Sequence, residues 1–163
     1  MKKQYGEKPV ILLNTAHLYF LVKKTSTSIK YYKKLTKTKS AIAVVGHIYL
    51  AKIYHMKKRI YKSLYHLSKA LEVKFPNFMK SMVLEQLEQM SSYEPRIFNQ
   101  AKRHFFKKKY QKAHQGFHYA WLLSPIDSTL FMKVYSSVKL NMPDRAMEEA
   151  EQIEDDKLYQ EAS

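Results

Sequence analysis

The sequence predicts an all-α fold built from stacked helical hairpins, and three observations carry that expectation. Only three Gly and five Pro occur in 163 residues, while Lys, Leu, Met, Ala, Glu and Gln are plentiful, which favours long helices joined by short turns. Apolar residues make up 45% of the chain and aromatics 13%, enough to bury a core in a single domain. The third observation is a hidden repeat: Ala101, Ala113, Ala120 and Pro125 follow one another at intervals of 12, 7 and 5. Ala51, Ser63, Ala70 and Phe75 repeat those intervals, with Pro76 one place late, and so do Ala16, Ser28, Leu35 and Ser40. The Ala16 and Ala51 sets are offset by 35 residues, the length of a helical hairpin whose small residues mark where two helices press closest. Stacked hairpins form α-solenoids, which build binding surfaces and not reaction centres.

Pro9 suits the opening turn of a first helix running to Lys23, with Leu12, Leu13, Ala16, Tyr19 and Phe20 along one side. Thr25 to Ser28 reads as the turn, and Ile29, Tyr32 and Leu35 form the apolar stripe of a second helix, Ser28 to Thr38. The next hairpin is Ala43 to Met56 and Tyr61 to Lys74, split at Lys57 to Ile60 and closed by Pro76. Pro95 opens a helix through Phe106, Lys107 to Tyr110 turns the chain, and Gln111 to Leu123 returns until Ser124 precedes Pro125, where helical geometry is disfavoured. A fourth unit follows from Ser128 to Leu140 and from Pro143 to about Leu158. Its spacing from Tyr135 to Ala146 is 11, one short of the others, so a turn residue is expected to be missing. The repeats thus cover about 9–42, 44–77, 94–127 and 128–160, three to four units in all. Residues 77–93 fall outside the scheme and carry Phe78, Met79, Met82, Val83, Leu87 and Met90 at helical spacing, an extra helix that is either a packing spacer or a partner surface.

The net charge of +15 is unevenly spread. Residues 1–75 hold 17 Lys or Arg against Glu7 and Glu72, whereas residues 76–163 hold 12 of each sign, and the last stretch, 141–163, has a net −6. Such a field draws anionic partners without naming one, and solvated faces of a Lys-, Tyr- and Ile-rich composition are the other reading of the same charge. Only Arg59, Arg96, Arg103 and Arg145 offer bidentate recognition, the rest being lysine point charges. There is no cysteine, which removes disulfides, thiolate nucleophiles and Cys-based metal sites. The longest apolar run, Val10 to Val22, has 13 residues and includes Asn14, Thr15 and His17, whereas a membrane span needs about 20. Lys2 and Lys3 precede it, but Glu7, Lys8 and Pro9 intervene and no small-residue cleavage site follows, so the expected location is cytoplasmic.

A small residue in the first helix, an aromatic three or four places later, a Tyr before the turn, small residues seven apart in the second helix and a closing proline together resemble the tetratricopeptide repeat. Ala101, Phe105, Tyr110, Ala113, Phe117, Ala120 and Pro125 hold the matching places in the third copy, and Ala16, Tyr19, Ser28 and Tyr32 do so in the first. The glycines usual beside the first-helix small residue and in the turn are absent, Ser28 and Ser63 replace alanine, and Gln100 stands where an apolar residue is common. The resemblance implies a right-handed superhelix whose first helices line a concave groove for extended peptides or partner helices.

On that architecture the groove receives Leu13, Asn14 and His17 from the first unit, Tyr49, Lys52 and His55 from the second, Phe98, Asn99, Lys102 and Phe105 from the third, and Lys133 with Lys139 from the fourth. Alternating rings and cations suit an acidic, partly apolar peptide. Family members that hold a peptide C-terminus use Lys, Asn and Arg from successive units, a set that Asn14, Lys52, Asn99 and Lys102 echo in part and without Arg. Two basic turns, Lys57, Lys58, Arg59 and Lys62, and Lys107, Lys108, Lys109 and Lys112, form a candidate anion or nucleic-acid edge. Phe105, Phe106 and Tyr110 between them coincide with packing positions of the repeat and read as core. His114 and His118 stand four apart but lack the glutamate of a zinc-protease helix, so they read as packing or surface residues, and no metal or other cofactor is expected.

Glu148, Glu149, Glu151, Glu154, Asp155 and Asp156 form the polar side of the terminal helix, with Glu149, Gln152 and Asp156 capping the array opposite Ala146, Ala150 and Ile153. The same acidic end is able to dock head-to-tail on the basic half of a second copy. With no glycine-rich phosphate loop, nucleophile elbow or acid pair in the sequence, the leading expectation is a non-enzymatic scaffold that recruits an acidic protein or peptide. The competing class is a basic RNA- or DNA-associated helical repeat, and a third is a peptide sensor in which the 77–93 helix shifts.

Overall fold

A computed structural model describes residues 8–73 and 76–151, and no strand occurs among them. The helices are α1 (Pro9–Leu21), α2 (Thr25–Leu35), α3 (Ala43–Met56), α4 (Ile60–Leu71), α5 (Asn77–Gln89), α6 (Glu94–Phe106), α7 (Tyr110–Leu123) and α8 (Asp127–Lys139). A short 3-10 turn, Ser91–Tyr93, precedes α6, and a last helix, α9, is described over 143–151. The expected residues Lys74, Phe75, Gln152, Ile153, Glu154, Asp155, Asp156 and Leu158 lie outside the described residues, as do Lys2, Lys3 and Glu7.

Four hairpins share one turn. Three residues separate α1 from α2, α3 from α4, α6 from α7 and α8 from α9. In each turn the middle residue is left-handed, Lys23, Lys58, Lys108 and Asn141 having φ of 57, 55, 56 and 57°. The next N–H reaches back five residues, from Lys24 to Tyr19 O, Arg59 to Tyr54 O, Lys109 to His104 O and Met142 to Ser137 O, at 2.9, 2.8, 2.9 and 3.1 Å. That closure satisfies carbonyls that a helix end leaves without partners.

Two expectations change with this geometry. The first turn is 22–24, not Thr25 to Ser28, because the left-handed Lys23 lets the helix restart at Thr25. Ser28 lies inside α2, and its hydroxyl donates across the hairpin to Ala16 O. The fourth turn is not short. The left-handed residue stands seven places after Ala16, Ala51 and Ala101, and seven before Asn141 is Val134. The matching pair is therefore Val134 and Ala146, 12 apart like the rest.

The helices form two compact units, Met1–Leu87 and Glu88–Ser163, dividing within the extra helix. In the first unit α1, α2, α3 and α4 pack in succession. Gly46 near the start of α3 lies against Thr36, Tyr32 and Leu35 at the end of α2, while Tyr49 further along stacks on Tyr32 with centroids 5.2 Å apart. Adjacent helices therefore run antiparallel, and α1 and α3 point the same way. Their core joins Leu12, Ala16, Tyr32, Leu35, Leu50, Ile53 and Tyr54. Each fully buried large side chain contributes roughly 1.5–3 kcal/mol. From α5, Val83 and Leu87 are buried and Gln86 Nε2 lies 3.5 Å from Ile48 O.

The second unit packs α6 on α7 and α7 on α8. Ala101, Ala113 and Phe117 form its buried centre, with Phe98, Phe105 and Met132 against them. The backbones meet closely because Gly116 faces Ala101; a Cβ there would stand 2.7 Å from the Ala101 Cβ.

Candidate functional site

The second unit carries a mixed aromatic and cationic surface across α6 and α8. Phe98 and Phe105 recur on one side of α6, held edge-on and tilted against Phe117 at 5.5 and 6.5 Å. Phe105 continues to Tyr135 of α8 at 5.4 Å, and Tyr135 stacks with Phe131 at 6.3 Å. This ladder begins in the core and ends in solvent, since Phe131 is 61% exposed. The Lys102 ammonium sits 5.7 Å over the Phe98 ring and that of Lys139 5.1 Å over Tyr135, contacts that fix a cation on an aromatic face. Four expected groove residues, Phe98, Lys102, Phe105 and Lys139, thus share a unit, while Phe131 and Tyr135 were missed. Their i, i+4 spacing was the available signal, obscured by the repeat register set from Tyr135.

Asn99 points to a neighbouring flank of α6, where Arg96, Gln100, Arg103, His104, Lys107 and Lys109 border an open depression of about 570 Å³. Among the described residues no ion pair engages Arg96 or Arg103.

In the first unit His17 and Tyr49 meet edge-on at 4.3 Å, His17 also meets Tyr32 at 5.7 Å, and its Nδ1 donates to Leu13 O. These two half-buried rings belong to the packing between α1, α2 and α3. Asn14 and Lys52 are exposed and His55 is half-buried.

Lys133 is a correction. It is buried and lies 3.5 Å from Glu149 of α9, so it does not line a solvent-facing groove. Glu149, expected on the outer face, is itself only 5% exposed. Its carboxylate accepts hydrogen bonds from His114 Nε2 at 2.7 Å, Ser137 Oγ at 2.8 Å and Arg145 Nε at 3.2 Å. A carboxylate survives burial only when paired and hydrogen-bonded. Burial pushes the Glu149 carboxyl up, but the His114 and Ser137 bonds and the Lys133 ammonium outweigh it and hold the carboxyl down at about 2. Burial lowers Lys133, opposed by Glu149, and burial with Lys133 and His114 lowers the His118 imidazole to about 4. The Lys133 ammonium also lies 5.5 Å over the Trp121 ring. Asp144, Glu148 and Glu151 remain on the exposed side of α9.

A second, partly buried polar contact lies in the first unit, where the Nδ1 atoms of His47 and His66 share one hydrogen bond at 3.0 Å. Burial, then His47 and Lys33, lowers the His66 imidazole to about 4, and burial with Lys69 lowers His47. Among the described residues no three His, Asp or Glu side chains converge as metal ligands.

The basic turns are exposed as expected: Lys57, Lys58, Arg59 and Lys62 in the first unit, and Lys107, Lys108, Lys109 and Lys112 in the second. Lys62 lies over the Tyr54 ring at 5.6 Å. Among the described residues no helix is long and apolar enough to cross a membrane. Compared with known proteins, the chain matches no family model and gives no significant match to a curated protein.

Proposed function

We propose that this chain is a cytoplasmic, non-enzymatic adaptor of tetratricopeptide-like hairpins in a right-handed array, and that the α6–α8 surface binds an acidic segment bearing an apolar anchor. The carrying observation is the Phe105–Tyr135–Phe131 ladder, which runs from core to solvent beneath the Lys139 ammonium. Exposed rings rooted in a rigid core offer contact area at little entropic cost, and nearby cations select an anionic partner. Arg96 and Arg103 on the adjoining flank add to the same field.

Affinity capture with the wild-type chain identifies a partner, and titration of its acidic segment then tests the site. Phe131→Ser is expected to weaken binding roughly tenfold, the scale of an interface anchor. Lys102→Glu with Lys139→Glu is expected to weaken it further and flatten its salt dependence. A partner segment bound equally by wild type and both variants would remove this surface from the function.

A further inference from the structure

We propose that the turn end of the first unit is a peripheral docking surface for an anionic lipid membrane. Both hairpins place large aliphatic side chains at their tips directly before a cluster of cations. Leu21, 73% exposed, and Val22 precede Lys23 and Lys24; Met56, 69% exposed, precedes Lys57, Lys58 and Arg59. Because α1 and α3 point the same way, these tips lie at one end of the unit. Residues 8–71 contain 14 Lys or Arg and no Asp or Glu, so no carboxylate within that stretch neutralises them. Such a charge density repels itself until a polyanion meets it.

The turn backbone sets the cations in place. Lys23 and Lys58 occupy left-handed conformations that glycine adopts without cost and other residues do not. The shared turn geometry thus presents a cation at the same place in both tips. The second unit repeats the composition in Phe106, 75% exposed, followed by Lys107, Lys108 and Lys109 with Lys108 left-handed.

Anionic lipid fits this surface better than nucleic acid. Phosphates of RNA engage the lysines, but Leu21, Val22 and Met56 present no flat face for a base. A bilayer interface takes both parts: aliphatic tips enter the headgroup–acyl boundary while lysines stay among the headgroups.

Cosedimentation of the full chain with phosphatidylcholine vesicles, with and without phosphatidylserine, tests the proposal. Binding is expected only with phosphatidylserine and is expected to weaken with salt. The combined Leu21→Ser, Val22→Ser and Met56→Ser variant is expected to partition roughly tenfold more weakly. Lys23→Gln, Lys24→Gln, Lys57→Gln and Lys58→Gln together are expected to cost about fivefold per lysine. Circular dichroism checks that both keep their helices; if the triple variant does not, Met56→Ser alone is read, with an expected loss of roughly threefold. No binding to phosphatidylserine at low salt overturns the proposal, as does wild-type binding by the serine variant. Single-stranded RNA that binds tighter than the vesicles, and equally to wild type and the serine variant, assigns the surface to nucleic acid instead.

Discussion

The two units solve the same hairpin contact with opposite chemistry. In each hairpin the position three places after Ala16, Ala51, Ala101 or Val134 corresponds across the turn to the one 12 residues further on. At the first unit's positions 19 and 31 two tyrosines stack at 5.6 Å, and at 54 and 66 a tyrosine stacks on a histidine at 5.6 Å. The equivalent positions of the fourth hairpin are Ser137 and Glu149, joined by a hydrogen bond of 2.8 Å, and those of the third are His104 and Gly116. The small-residue contact differs too. In the first unit Ser28 and Ser63 donate to Ala16 O and Ala51 O at 3.0 and 2.8 Å, whereas in the second Gly116 admits the Ala101 methyl. A fixed turn and a fixed spacing set the hairpin, then, and leave the facing side chains free to be apolar or ionic, the buried Glu149 carboxylate being held by three hydrogen bonds.

The largest test of that difference is Glu149→Ala. It strands Lys133 and Arg145 and removes the acceptor of His114 and Ser137; breaking a buried pair in this way costs about 3–5 kcal/mol. The loss is expected in the second unit alone. Trp121, the single tryptophan, reports that unit by fluorescence during denaturant unfolding, and hydrogen exchange at the amides of α3 and α4 reports the first. Equal loss of protection in both units would mean that the division at residue 87 has no energetic counterpart.

The legible and illegible parts of this chain separate into what is local and periodic and what depends on packing. The 12-residue spacing placed the first three hairpins, the fourth was placed with its register one residue off, and the range Ala43 to Met56 matches α3 end to end, because these signals are local and periodic. The turn residues were harder: without glycine, Lys23 gave no sign of its left-handed backbone, and the hydroxyl-rich Thr25 to Ser28 drew the turn too late. Glu149 and Lys133 were read as solvent-facing because charge belongs there by default. What reverses that default is His114, 35 residues before Glu149, a pairing that only the packed fold supplies. Phe98, Phe105 and Lys139 were placed together by the architecture that the tetratricopeptide resemblance implies, and the structure puts them in one unit.

Acid titration sharpens the comparison with a smaller effect. A histidine whose folded-state pKa is depressed favours folding fully above its ordinary value near 6.5, and that contribution is lost as pH falls toward the depressed value. His66, buried beside His47 and Lys33 and held at about 4, therefore weakens the first unit between about pH 6.5 and 4, by roughly 3 kcal/mol. His118 acts in the same window in the second unit. Glu149, held down at about 2, adds a loss there alone, between its ordinary range near 4.5 and that value. His66→Gln leaves His47 a hydrogen-bonding partner with one titrating ring fewer, so exchange rates in α4 are expected to lose most of their slope across pH 6.5 to 4, His47 keeping the remainder, while Trp121 fluorescence keeps its own. A slope in α4 that survives the substitution undiminished would place the acid sensitivity elsewhere.

The smallest effect compares the turns themselves. Lys58 and Asn141 hold almost the same φ, 55 and 57°, yet asparagine tolerates the left-handed region where lysine carries its full steric cost of about 1–2 kcal/mol. Lys58→Gly relieves that strain and removes one of three adjacent cations, but it also loosens the unfolded chain, which offsets part of the gain. The net expectation is a stabilisation of roughly 0.5–1 kcal/mol in the first unit. Asn141→Gly, starting from a residue already suited to the site, is expected to change the second unit by only a few tenths of a kcal/mol. Thermal melts of the two variants measure the contrast directly. If Lys58→Gly stabilises no more than Asn141→Gly, the lysine is not strained at the tip, and the turn's preference for a cation there needs no explanation beyond composition.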